Sequence, residues 1–220
     1  MGDAATLNHA CVIISMCFCT EAMNKYHYYY LLSMKIILLR HGEPDIDTGL
    51  KVSPREYGVW LKAFNLASIK DSCPPVAVMD LVRQCEFVVC SDLARSIDSA
   101  RALGIEHIDV LEPLFREFEV SYSKWLFPKL PASSWTVLFR LMWLTGYSAN
   151  AESFRVARQR TVLCMQRLVG YAEQYGTVLF VGHGSLFWYL TRLLVNNGWQ
   201  GPTFSPKKYW EFCVYHSDRD

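Results

Sequence analysis

Short, continuous apolar runs alternate along this chain with segments whose apolar residues recur every three or four positions, and most runs end in glycine or a small polar residue. The first run, Lys35-Ile36-Ile37-Leu38-Leu39, stops at Arg40-His41-Gly42, as a strand buried on both faces does when it empties into a loop. Ser53-Pro54-Arg55-Glu56 predicts a helix start, with Ser53 as N-cap, Pro54 at the first helical position and Glu56 closing a capping box. Tyr57, Trp60, Leu61 and Phe64 follow on one helical face. Phe87-Val88-Val89-Cys90 is a second strand, and Ser91-Asp92 begin a helix that runs to Gly104.

Residues 108–111 read as a third strand, followed by the loop that holds Arg116, Glu117 and Glu119. Pro128 and Pro131 predict an irregular excursion between about 121 and 132. Ser133 or Ser134 is positioned to cap a helix whose Trp135, Leu138, Phe139, Met142 and Trp143 form one apolar stripe, with Gly146 as its stop. A longer helix spans about 151–175, carrying Val162, Met165, Val169 and Ala172 on one face and ending at Gly176. A fourth strand at 177–181 runs into Gly182-His183-Gly184-Ser185, where Ser185 is expected to cap a last helix with Leu186, Leu190, Leu193 and Leu194 on a shared face. Residues 209–215 suit a closing strand. Strands alternating with helices, each strand short and apolar, predict an α/β layered sandwich on a mostly parallel sheet.

Composition narrows this picture. At 220 residues the chain is one ordinary domain, or one domain plus a tail. With 51% hydrophobic residues, 20% charged residues and a net charge of +1, it is no disordered polyampholyte and has no basic field with which to hold nucleic acid, so an anion must be bound locally. None of the eight cysteines forms a C-x-x-C pair, and several sit in apolar runs, as Cys90 does; they read as reduced thiols of a cytoplasmic protein. Ala10 to Cys19 is an apolar run too short to span a bilayer, with nothing basic before it and no small-residue cleavage site after it. Met1-Gly2 with Thr6 matches a myristoylation pattern only loosely. Met34 directly precedes the first strand, so residues 1–33 are expected to be an extension outside the fold and 34–220 the folded domain.

The chemistry gathers where ligands of open α/β sheets sit, beyond the carboxyl ends of the strands. Arg40-His41 follows the first strand, Ser91 to Arg95 the second, Glu117 the third and His183 the fourth. Two arginines and two histidines facing helix openings make a site for a dianion, because guanidinium forks and unpaired helix N–H groups both suit phosphate oxygens. His41 would serve as nucleophile if its imidazole is neutral and its other ring nitrogen donates to a carbonyl, such as that of Gly42. Glu117 would be the acid for the leaving group, if burial and the incoming phosphate keep it protonated. Arg40, Arg95 and His183 would clamp the charge, with Gly42 and Gly184 completing the candidate phosphate-binding set. Taken singly, each of these residues has an ordinary explanation as a turn histidine or a solvated charge. One phosphate pocket accounts for all four placements together.

Leu39-Arg40-His41-Gly42-Glu43 resembles the R-H-G signature of the histidine phosphatase superfamily, which includes the cofactor-dependent phosphoglycerate mutases. Ser91-Asp92-Leu93-Ala94-Arg95-Ser96 resembles its second arginine motif, Phe115-Arg116-Glu117 its proton-donor segment and Gly182-His183-Gly184 its second histidine motif, all in the family's order over about 34–215. Glu152-Ser153 is similar to its Glu-Ser pair opening the long helix. The resemblance implies a three-layer α/β/α sandwich of phosphoglycerate mutase type, a phosphohistidine on His41, no cofactor and no metal. It implies a phosphorylated small molecule or a phosphoprotein as substrate. The family's usual continuation after the acid is absent, so the acid lies between Glu117, the preferred residue, and Glu119. A phosphatase is favoured over a mutase, whose extra loop sequence this short core lacks; a silent phosphate-binding module is the alternative from another class.

Two further readings fail. A metal hydrolase built on His41, His183, Asp92 and Glu117 would place two arginines against its cation and shows no H-E-x-x-H spacing, and Gly182 to Leu186 is not G-x-S-x-G. Tyr122 and Trp125 are expected to form a lid. Arg140, Arg155, Arg158 and Arg160 are read as solvated helix faces, one of which could reach a distal charge on a substrate; His9, His27, His107 and His216 carry no role.

Overall fold

Ile36 and Leu38 point to one face of their strand and Ile37 and Leu39 to the other, and all four are buried. Such a strand needs apolar cover on both sides. The computed structural model, which describes residues 33–218, provides it. In chain order the elements are β1 (Ser33–Arg40), β2 (Lys51–Val52), α1 (Pro54–Leu66), α2 (Val76–Val82), β3 (Phe87–Cys90), α3 (Ala94–Ala102), β4 (Val110–Leu111), a 3-10 turn (Pro113–Phe115), β5 (Leu130–Pro131), α4 (Ala132–Leu144), α5 (Phe154–Tyr175), β6 (Thr177–Gly182), α6 (Gly184–Asn196) and β7 (Phe212–Asp218).

The main sheet has the order β4-β3-β6-β1-β7, parallel throughout except for β7, which runs antiparallel to β1. On one face Ile36, Leu38 and Phe180 pack against Cys164 and Leu168 of α5 and Leu186 and Leu190 of α6. On the other, Ile37, Leu39 and Val181 meet Val78 of α2 and Ala100 of α3. This is the expected three-layer arrangement. A third cluster, Val52, Tyr57, Trp60, Trp135 and Phe139, joins α1 and α4 around the β2–β5 pair, and the Trp135 indole donates to the Val52 carbonyl at 2.8 Å.

The capping box at α1 forms as the sequence predicts: the Glu56 amide donates to Ser53 Oγ and the Ser53 amide to Glu56 Oε2. Other helix starts differ. α4 begins at Ala132 without a serine cap, because the amides of Ala132 and Ser133 donate to the carbonyls of Leu50 and Thr48. α5 begins at Phe154 with Ser153 as its cap, and its buried stripe is Ala157, Thr161, Cys164, Leu168 and Ala172, with Val162 at the margin. α3 begins only at Ala94, and α6 at Gly184 with His183 in the cap position. Leu138 of the α4 stripe is exposed. The third strand is reduced to Val110–Leu111. The closing strand starts at Phe212, after Trp210 in a left-handed conformation (φ 61°) whose amide still donates to the Arg40 carbonyl. The run from Ala10 to Cys19, and all of the expected 1–33 extension but Ser33, lie outside the described residues. Among the described residues no helix is long and apolar enough to cross a membrane.

If the third cluster is part of the cooperative fold, Phe139→Ala, which removes a fully buried ring, is expected to lower unfolding free energy by about 3–5 kcal/mol. Ser53→Ala, which removes only the cap, is expected to lower it by about 1 kcal/mol. Urea denaturation of both variants checks the ranking, and equal losses would refute it.

Candidate active site

The parallel pairing of β1 with β6 sets Arg40 opposite Gly182, and the His41 amide donates to the Gly182 carbonyl at 3.1 Å. His41 and His183 therefore leave adjacent strands at the same level, with ring centroids 5.1 Å apart. β3, on the far side of β6 from β1, delivers Ser91 and, in the first turn of α3, Arg95. Glu117 follows the 3-10 turn after β4. Arg40, Arg95, Glu117 and Tyr209 line a cavity of about 950 Å³. The two histidine rings lie beneath it, 1% and 0% exposed, with the Tyr209 ring 5.8 Å from that of His41. The strand-end residues singled out from the sequence thus converge on one place.

The hydrogen bonds assign the proton of the His41 ring. His41 Nδ1 lies 2.7 Å from the Gly42 carbonyl, which can only accept, so the neutral ring carries its proton on Nδ1 and leaves Nε2 as a free base. Burial, reinforced by Arg95, lowers the His41 pKa to about 3, against the opposing pull of the Gly42 carbonyl. Burial and Arg95 likewise drive His183 well below the usual range. Ser91 Oγ accepts from the Leu93 amide and shares a hydrogen bond of 2.6 Å with His183 Nε2. The other ring nitrogen of His183, Nδ1, lies 4.0 Å from Glu117 Oε2.

Arg95 is fully buried, stacked on the Phe64 ring at 4.5 Å and donating Nη1 to the Phe64 carbonyl. Its Nε and Nη2 have no partner, and neither have Arg40 Nε and His183 Nδ1. Burial lowers the Arg95 pKa to about 10, which still leaves it charged. Arg40 is held by donation to the Lys207 carbonyl and by the Tyr209 ring 4.7 Å below its guanidinium. Buried donors without acceptors are unfavourable by about 1–3 kcal/mol each, more for charged groups. A bound dianion would satisfy them together.

Glu117 Oε1 accepts from both the amide and the hydroxyl of Ser185 at the start of α6. Ser185 is thus occupied by Glu117 and does not cap its helix as expected. Burial raises the Glu117 pKa, but the adjacent His183, the charges of Arg140 and Arg95 and the Ser185 hydroxyl outweigh it and hold the carboxyl below its usual range. These neighbours favour the ionised carboxylate, contrary to the protonated state its role as acid requires. Glu119 points elsewhere: its Oε2 accepts from the Glu152 amide at 2.6 Å. Gly42 has its N–H donated to Ser99 Oγ, and a Cβ there would lie 2.6 Å from the Trp210 ring, so it serves close packing and offers no free donor. Gly184 lies against the Arg40 guanidinium.

Sequence reasoning missed two arginines. Arg140 and Arg160 line the cavity and are not solvated: Arg140 donates to the carbonyls of Phe118 and Glu119, and Arg160 to Glu152 and the carbonyls of Leu114, Arg116 and Glu117. The available signal was the position of Arg140 beside the buried Phe139 and Trp143. Tyr122 lines the cavity, whereas Trp125 is 57% exposed and does not. Of the metal set considered from sequence, His41, Glu117 and His183 do approach within 4.8 Å of one another, a His2Glu donor set of the kind that suits zinc. Asp92 is bound away to Arg116, and Arg95 sets its positive charge against a cation there.

The buried neutral histidines link stability to pH. Each must charge on acidification in the unfolded chain (ordinary pKa 6.5) before it does so in the fold, so stability is present above about pH 6.5 and is lost as pH falls toward 3. From pH 7.5 to 5, His41 alone is expected to remove about 2 kcal/mol. Urea midpoints of wild type and His41→Asn at both pH values check this; an equal fall in the two proteins would show that His41 is not held neutral.

No curated protein matches this chain. Among solved structures, it is similar to a mycobacterial glucosyl-3-phosphoglycerate phosphatase at 19% identity and a TM-score of 0.55, over 84% of this chain and 90% of that one. It is similar to the product of a Mycobacterium tuberculosis open reading frame at 16% identity and a TM-score of 0.55, over 82% and 90%. A third likeness is to a candidate α-ribazole-5′-phosphate phosphatase of Escherichia coli, at 17% identity and a TM-score of 0.52, over 84% and 95%. At these identities the likeness is one of fold. The sequence profile of the histidine phosphatase superfamily (branch 1) matches residues 77–209, a stretch that holds Arg95, Glu117 and His183, with Arg40 and His41 upstream on the strand paired to β6. With more than half of its length matched, the chain belongs to the histidine phosphatase superfamily and is an enzyme of that superfamily.

Proposed function

We propose that the protein is a metal-independent phosphatase that hydrolyses a phosphomonoester, of a small molecule or a protein, through a phosphohistidine on His41. The observation that carries this reading is the pairing of a neutral His41, its Nε2 free, with the buried and unpartnered Nε and Nη2 of Arg95. His41 Nε2 attacks phosphorus, the bond to the leaving oxygen breaks, and Glu117 gives that oxygen a proton. Arg40, Arg95 and His183 Nδ1 neutralise the charge on the other oxygens. Water then attacks the phosphohistidine, the N–P bond breaks and the Glu117 carboxylate accepts the proton from water.

Glu117 must be protonated for the first step although His183 and the arginines favour its ionised form. A phosphate dianion placed on Arg95 offsets the charge that keeps it so, and Glu117 takes up its proton as substrate binds. The cytoplasmic reading rests on the cysteines: Cys90, Cys164 and Cys213 are buried free thiols.

In EDTA, wild-type protein is expected to release phosphate from p-nitrophenyl phosphate, and His41→Ala to release none. Arg95→Ala is expected to lower kcat/KM by about 10²–10³-fold. Turnover that survives the loss of His41 would refute the mechanism. Activity lost to EDTA and restored by zinc would instead assign the His41, Glu117 and His183 cluster to a metal.

A further inference from the structure

The cavity is far larger than a phosphoryl group. At about 950 Å³ it lies at the upper end of pockets that enclose drug-sized ligands, roughly 300–1,000 Å³. The phosphate end occupies the corner formed by Arg40, Arg95 and Glu117. The remainder extends between α1, α4 and the irregular segment from 118 to 122.

The far wall is apolar and flat. Trp60, Leu61 and Phe64 of α1 line it, and beside them the Tyr122 ring packs on the same helix at Gly58, where a Cβ would come within 2.6 Å of it. Thr48, Ser133 and Asn150 add neutral polar groups.

Most of the charges that reach this space are already committed. Arg116 forms a double hydrogen bond with Asp92, Arg160 binds Glu152 and Arg140 is committed to two backbone carbonyls. Lys62 of α1 also lines the cavity, with its side chain exposed to solvent. Among the described residues, the buried guanidinium nitrogens without a partner belong to Arg40 and Arg95, both at the phosphate end. Glu119 and Glu152 add negative charge to the wall. A second anionic group on the substrate would lose its hydration there and gain at most a weak pair with the solvent-exposed Lys62.

The geometry points to a substrate class: a phosphomonoester of a bulky, uncharged alcohol with a flat apolar face, which lies against the wall formed by α1 and Tyr122 while its phosphate binds Arg95. This inference rests on the phosphatase reading and narrows it, setting aside small phosphorylated acids of the phosphoglycerate kind. Because Phe64 stacks on Arg95 and also lines the far wall, a leaving group bound there presses on the element that positions the clamp.

Three esters of primary alcohols test it on the full-length protein: ethyl phosphate, 2-(2-naphthyl)ethyl phosphate and 3-phosphoglycerate. The naphthyl ester is expected to exceed ethyl phosphate in kcat/KM by about ten- to a hundredfold, with 3-phosphoglycerate no better than ethyl phosphate. Tyr122→Ala is expected to reduce the naphthyl-to-ethyl ratio about tenfold, and Leu61→Ala, a milder change on α1, to reduce it by a smaller factor. Equal turnover of the naphthyl and ethyl esters, preference for 3-phosphoglycerate, or a ratio unmoved by both substitutions would overturn the substrate class while leaving the phosphatase reading intact. Turnover of none of the three would remove the phosphatase reading and the substrate class with it.

Discussion

The register between β1 and β6 is the constraint on which the site depends. With Arg40 opposite Gly182, the two strands end together and their next residues, His41 and His183, stand side by side. The register is held from below, because Leu39 and Val181 must enter one core while Leu38 and Phe180 enter the other. A slip of a single residue would turn each apolar side chain to the wrong face. Packing of the sheet and alignment of the two imidazoles are therefore one requirement. β3 and β7 extend the sheet on either side and bring in Arg95 and, through the turn before β7, Tyr209.

Around this pair the protein tolerates an electrostatic imbalance. Burial alone would neutralise every titratable group near His41; it does so for the histidines, but Arg95 stays charged beside Glu117, and Glu117 is held below its usual range by His183, Arg140 and Arg95. The arginine donors left over have no acceptor among the described residues. Ser91 and Ser185 add no charge. They hold the His183 ring and fix where the Glu117 carboxylate sits.

The aromatic cluster of α1 and α4 is tied to this machinery through Phe64. The same ring supports the Arg95 guanidinium and faces the wide part of the cavity. The support of Arg95 and the lining of the cavity thus share a side chain. The loop segment from 114 to 119 is fixed with comparable economy of parts: Arg160 gathers three of its carbonyls and Arg140 two more. Glu117 is consequently presented by a segment without regular structure that is nonetheless held at many points.

Much of the fold was legible because its signals are local. Continuous apolar runs mark β1, β3 and β6, Ser53 and Glu56 lie close enough in sequence to cap α1 unaided, and the order of strand-end residues pointed to a single pocket. The helix starts at α4 and α6 were not legible in this way, since their free amides are satisfied by Thr48, Leu50 and Glu117, groups distant in sequence. Arg140 and Arg160 looked like solvated charges because periodicity records only which face of a helix is apolar; it does not record that a loop of bare carbonyls packs against the opposite edge. The sequence by itself determined the layered architecture, the family and a set of candidate strand-end residues that the fold brings together. Only the tertiary structure decided their protonation, the commitment of the Gly42 amide, the approach of three possible metal ligands and the shape of the cavity, because each of these depends on distances between elements joined by sheet order and not by the chain.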